Sequence, residues 1–213
     1  TTRMHKESHQ VLDLVNLFEP ISKYSTQIRA PEIIPEVVRK AFKDAQIEKP
    51  GGSFIDFPEN IAGAQMPVDK QPLKVQSPSP PVPPAEKIKQ AAEIISQAKN
   101  PIIMAGNGVI RNRASKQLVQ FAEQLNIAVA TTFMAKGVIP FSHKLSLGTV
   151  GLQAKDYVGC GFEKSDVIIC IGFDMVEFHP HIWHKYKDKK IIHIDMSAAE
   201  VDEHYILEAG VIG

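Results

Sequence analysis

Apolar residues recur along the chain at two spacings, and the way these alternate predicts where helices and strands lie. From Pro31 to Ala45, residues Ile33, Ile34, Val37, Val38, Ala41, Phe42 and Ala45 fall at helical spacing. This predicts an amphipathic helix with Pro35 in its first turn, where a missing amide is tolerated. Lys49-Pro50-Gly51-Gly52 ends it, and Ser53-Phe54-Ile55-Asp56-Phe57 reads as a buried strand halted by Pro58. Periodicity then collapses as far as Pro84. The run Ser77-Pro78-Ser79-Pro80-Pro81-Val82-Pro83-Pro84 favours an extended, semi-rigid backbone.

After Pro84 a regular alternation begins. Ile88, Ala91, Ala92 and Ile95 mark a helix, and Pro101 to Ala105 a short buried strand. Leu118, Val119, Ala122 and Leu125 mark the next helix, and Ile127 to Thr131 the next strand. Val167 to Ile171 and Ile191 to Ile194 add two more strands. Apolar, largely β-branched runs separated by helices predict an α/β domain, a parallel sheet of about six strands flanked by helices. The expected organisation is a helix-strand unit over residues 1–58, a Pro-rich linker over 59–84 and the α/β domain over 85–213. A long surface loop within one domain is the alternative for the Pro-rich stretch. The apolar Tyr205 to Ile212, just before the last residue, resembles a strand cut short. With Thr1 as the first residue, this gives the expectation of an internal fragment.

Charge narrows the partners. Lys plus Arg and Asp plus Glu are 24 each, so no global field favours nucleic acid or an anionic membrane. No apolar run reaches the roughly 18 residues of a membrane span, and Thr1 to Gln10 lacks the apolar centre of a signal peptide, so a cytoplasmic location is expected. Cys160 and Cys170 read as small buried hydrophobes in a reducing compartment.

Candidate chemistry clusters at predicted strand ends. Ala105-Gly106-Asn107-Gly108-Val109-Ile110-Arg111 is a glycine turn between a strand and a helix, where backbone amides could cradle a phosphate. Arg111 stands where a G-x-G-x-x-G fingerprint needs its third glycine, which argues against a nicotinamide cofactor. Gly172-Phe173-Asp174 and Asp195 follow two other strands. With Gly106, Asn107 and Gly108 they should line the crevice beyond the strand ends. Asp195 is also expected to cap a helix starting near Ser197 or Ala198. His179, His181 and His184 invite a metal reading, but Pro180 breaks the helix that would align them, so no metal is expected.

Two segments resemble the end of the pyrimidine-binding domain in the acetolactate synthase family of thiamine-diphosphate-dependent enzymes. They are His9-Gln10 leading into Leu17-Phe18-Glu19-Pro20-Ile21-Ser22-Lys23-Tyr24, and Gly51 to Pro58. Asn100 to Gly108, Thr131 to Gly137, Ser165 to Asp174 and His193-Ile194-Asp195 resemble that family's Rossmann-like central domain. The resemblance implies a full-length parent that condenses two pyruvate molecules to 2-acetolactate with loss of carbon dioxide. It further implies thiamine diphosphate and magnesium as cofactors, and a homodimer or homotetramer with its own pyrimidine and diphosphate domains. His9 and Gln10 would then face the pocket for the 2-keto acid. The family's Gly-Asp-Gly motif is absent here, so no catalytic residue is expected in this chain and the fragment alone should be inactive. In the biosynthetic branch a Gly-x-Arg-Phe-Asp-Asp-Arg stretch helps hold FAD. Here it is Gly172-Phe173-Asp174-Met175-Val176-Glu177-Phe178, with both arginines missing and Glu177 beside any diphosphate. An FAD-free parent of the catabolic type is therefore expected. The alternatives are another thiamine-diphosphate decarboxylase or carboligase, or a nicotinamide-dependent oxidoreductase domain built on the turn at Gly106.

Overall fold

The computed structural model describes residues 9, 11–76, 79–151 and 157–213. It divides into two compact units, residues 1–79 and 80–213, with the boundary inside the proline-rich stretch.

In the first unit, helix α1 (Leu14–Phe18) is capped by Asp13, whose Oδ1 accepts from Asn16 N at 3.1 Å. Strand β1 (Tyr24–Gln27) follows, then helix α2 (Ile34–Gln46), strand β2 (Ser53–Asp56) and the short helix α3 (Glu59–Ala62). Strands β1 and β2 pair in parallel from Tyr24↔Ser53 to Gln27↔Asp56. Ile28, Val37 and Ile61 form a small core, and the rings of Phe18 and Phe54 stack at 4.1 Å. The spacing predicts α2 and β2. Strand β2 is half-buried rather than buried, because among the described residues its sheet has two strands. Nothing local predicts β1: Tyr-Ser-Thr-Gln carries no apolar alternation, and its pairing with β2 is a tertiary effect.

The second unit runs α4 (Ala85–Gln97), β3 (Pro101–Ala105), α5 (Asn107–Arg111), α6 (Ser115–Leu125), β4 (Ala128–Thr132) and β5 (Ser146–Val150). It continues through α7 (Gly159–Lys164), β6 (Val167–Ile171), α8 (Pro180–Trp183), β7 (Lys190–Asp195) and β8 (Leu207–Ile212). All six strands are parallel, in the order β5-β4-β3-β6-β7-β8. Alternate side chains serve opposite faces. Ile103, Ala105 and Ile169 pack with Ala91 of α4, Val109 of α5 and Leu118 and Ala122 of α6. Ile102, Met104, Ile168 and Cys170 pack with Phe162 of α7 and Trp183 of α8. Because both faces are covered, strands β3 and β6 can be continuously apolar. Asn126, at φ 53°, turns the chain out of α6 and hands it to β4, with Ile127 N donating to Ala122 O at 3.0 Å.

The α/β expectation and its six parallel strands hold. Two local expectations do not. Cys160 is exposed, whereas Cys170 is buried at the centre of the sheet. No helix starts at Ser197 or Ala198, so Asp195 caps none; its Oδ1 accepts from Met196 N at 2.6 Å within a bend. Among the described residues no helix is long and apolar enough to cross a membrane.

Ile169 is fully buried on central strand β6. Ile169→Ala should cost about 2–5 kcal/mol in urea unfolding, while Val176→Ala at an exposed position should stay within about 0.5 kcal/mol.

Candidate functional site

From β3 the chain moves outward through β4 and β5, and from β6 it moves the other way through β7 and β8. The topological switch therefore lies between β3 and β6, where open parallel sheets offer a crevice beyond the strand ends. The loops that meet there are Gly106-Asn107-Gly108 and Gly172-Phe173-Asp174. Their backbones touch directly. Gly106 N donates to Ile171 O at 2.9 Å, and Gly108 N donates to Gly172 O at 2.8 Å. A Cβ on Gly108 would lie 2.6 Å from Gly172 Cα, and one on Gly106 would lie 2.6 Å from Phe173 Cα. The glycines are thus explained by loop-to-loop contact, with Gly172 itself left-handed at φ 59°.

The remaining amide of the turn, Asn107 N, donates to both carboxylate oxygens of Glu177, at 3.1 and 3.2 Å. The Thr132 hydroxyl at the end of β4 donates to Glu177 Oε2. Glu177 is 5% exposed. Burial raises its carboxyl above the usual range, against the opposing bonds from Thr132 and Asn107. The charge of Asp174 adds to the rise and that of Arg111 offsets it. Gly151, at φ 93°, makes room for this segment: a Cβ there would sit 2.8 Å from Glu177 O. An internal carboxylate therefore stands where a glycine turn would hold a ligand phosphate.

The structure thus brings Gly106, Asn107, Gly108, Gly172 and Asp174 together at one edge. Phe173 turns inward, packing at 5.9 Å from the Trp183 ring and 5.7 Å from the Tyr205 ring, so it is core rather than lining. Asp195 ends β7 and is mostly buried, its backbone oxygen accepting from Gly213 N at 2.9 Å. His9 is an exposed turn residue of the first unit, and Gln10 lies outside the described residues.

The histidines sort by tertiary contact rather than by spacing. His184 is buried and fully used: its Nδ1 donates to His204 O at 2.7 Å and its Nε2 accepts from Lys189 N at 3.1 Å. His179 and His181 meet through their Nδ1 atoms at 2.8 Å on the surface. Among the described residues no group of three or more His, Cys, Asp or Glu side chains is placed to hold a metal. A buried polar chain under the crevice escaped the sequence reading. His193 Nε2 donates to Ser197 O at 3.1 Å, so its Nδ1 accepts from Tyr205 OH, also at 3.1 Å. Tyr205 in turn bonds Cys170, whose thiol burial pushes up to about 12, leaving it inert as a nucleophile.

Two measurements follow from this geometry. Gly108→Ala must push the two loops apart and should lower stability by about 1–3 kcal/mol in thermal or chemical unfolding. Glu177 has a raised folded-state pKa, so its charged form is the one folding disfavours. The penalty is present above the raised value and disappears as pH falls below the ordinary 4.5. The stability of Glu177→Gln relative to the parent sequence should therefore be more favourable at neutral pH than at acidic pH, as read from melting temperatures across that range.

Residues 88–213 match the family described as thiamine pyrophosphate enzyme, central domain. Along its whole length the chain is 34% identical to a probable acetolactate synthase large subunit of Methanocaldococcus jannaschii, covering 37% of that protein. It is 33% identical to the glyoxylate carboligase of Escherichia coli O157:H7, with 99% of this chain and 36% of that protein covered. It is 30% identical to an acetolactate synthase of Bacillus subtilis strain 168, with 98% of this chain and 36% of that protein covered. The chain thus spans little more than a third of the length of these curated relatives. With the parallel sheet, its switch-point loops and this match over most of the second unit, the chain belongs to the thiamine pyrophosphate enzymes and carries their central domain.

Proposed function

We propose that this chain is the central part of a cytoplasmic acetolactate synthase. That enzyme condenses pyruvate with pyruvate, using thiamine diphosphate and magnesium held by polypeptide outside these residues. The observation that carries the reading is the likeness, end to end, to probable acetolactate synthase large subunits, joined to a crevice whose amides are already committed. Gly106 N, Asn107 N and Gly108 N all have internal acceptors, and the acceptor of Asn107 N is itself an anion. A diphosphate does not fit that cradle, so no catalytic step runs through this site. The role left for these residues is to space and orient neighbouring domains of a homodimer or homotetramer, in which His9 and Gln10 would border the pocket for the 2-keto acid. Such positioning matters because carboligation depends on exclusion of water and fixed geometry around the cofactor.

The same fit test supports a flavin-free parent of the catabolic type. The stretch from Gly172 to Phe178 has no arginine to meet a diphosphate, and it places Glu177 on the glycine turn. A second reading, a different 2-keto-acid carboligase, is favoured by the 33% identity to a glyoxylate carboligase.

The test is product analysis with the full-length parent. Acetolactate should form from pyruvate only with thiamine diphosphate and a divalent cation present, and the purified enzyme should show no flavin absorbance. Preferential turnover of glyoxylate would favour the second reading, and stoichiometric flavin would overturn the flavin-free assignment.

A further inference from the structure

Helix α2 uses more than one flank. Val37 and Ala41 are buried toward the first unit, whereas Pro35, Val38, Arg39 and Phe42 form the next flank round the helix. Beside that flank runs the Pro-rich stretch, whose Met66, Leu73 and Val75 line the far wall of a cleft of about 450 Å³. Apolar packing across this cleft is too open to hold the stretch in place. Phe42 is still 63% exposed, Leu73 48% and Val75 70%, so little apolar area has left water.

What joins the two walls is Arg39. Its Nε donates to Lys74 O at 3.2 Å and its Nη2 donates to Gln76 O at 2.5 Å. A guanidinium offers its donors as a rigid planar fork, so one side chain can grip two carbonyls at once. Carbonyls two residues apart point the same way when a segment is extended, and the same alternation sets Leu73 and Val75 together on the cleft side. The far end of the Pro-rich stretch is anchored separately, within the second unit. Pro83 is half-buried between exposed neighbours, and a Cβ on Gly213 would lie 2.2 Å from its Cδ.

We propose that Arg39 is a clasp whose guanidinium holds residues 73–76 as a strap along α2. The linker expected over residues 59–84 is then anchored on the first unit as far as Gln76, and the strap opens only when the fork lets go. A released strap would add residues 64–76 to the connection between the two units. The inference concerns the first unit and stands whatever reaction the parent catalyses.

Trypsin reads the clasp directly, because the peptide bond after Lys74 carries the carbonyl that Arg39 Nε holds. A serine protease must draw that carbonyl into its own oxyanion hole, so cleavage there requires the open strap and its rate follows the open population. Brief digestion of the folded 213-residue chain, read by mass spectrometry, compares the bond after Lys74 with the bond after Lys136, an exposed site in the second unit. Arg39→Ala should accelerate cleavage after Lys74 at least about fivefold, the factor expected for losing roughly one net hydrogen bond, and leave cleavage after Lys136 unchanged. No acceleration after Lys74 overturns the clasp, and so does an equal acceleration at both bonds. Should Arg39→Ala fail to fold, Arg39→Lys keeps a cation on the helix but not the fork. Cleavage after Lys74 must then still rise over an unchanged rate after Lys136, and a rate equal to that of the unsubstituted chain counts against the proposal.

Discussion

The second unit depends on a contact between two loops that have almost no side chain between them. At the switch point, strands β3 and β6 are neighbours whose following loops leave in opposite directions. The Gly106-Asn107-Gly108 turn and Gly172 meet backbone to backbone, joined by the bonds to Ile171 O and Gly172 O. Any larger residue would force them apart, and the sheet beneath would lose the close seam between its two halves. The same seam explains why a sequence that looks like a phosphate cradle is not one: its donors serve the fold.

Glu177 completes that arrangement from the outside. By reaching Asn107 N and Thr132 together it links β4 to the loop after β6, which the parallel pairing alone does not do. Below it the buried polar residues are paired with one another. Cys170, Tyr205 and His193 form a chain of bonds ending on Ser197 O, within a core of Phe162, Phe173 and Trp183. The crevice is thus closed above by a carboxylate and filled below by aromatic side chains. That closure is what the proposed spacing role rests on.

Much of this architecture was legible in the sequence because the signals were local. Ile102 to Ala105, Val167 to Ile171 and Ile191 to Ile194 are apolar runs that only a doubly covered parallel sheet accommodates. Strand β1 was not legible, since Tyr24 to Gln27 becomes a strand only by pairing with residues far along the chain. The helix expected after Asp195 failed because Asp195 bonds the adjacent Met196 amide in a bend rather than capping a first turn. At the site, spacing pointed to the glycine turn but not to what filled it. Glu177 and Asn107 are separated by the three strands β4, β5 and β6 and by helices α6 and α7, so their bond has no local signature. The sequence clue was chemical: the stretch from Gly172 to Phe178 lacks both arginines and carries Glu177.

On the proposed reading, thiamine diphosphate is gripped by polypeptide outside these residues and this domain only helps to position it. Calorimetric titration of thiamine diphosphate with magnesium into the purified 213-residue chain tests this directly. Dilution heats alone are expected, whereas a saturable isotherm of near-stoichiometric binding would overturn that reading.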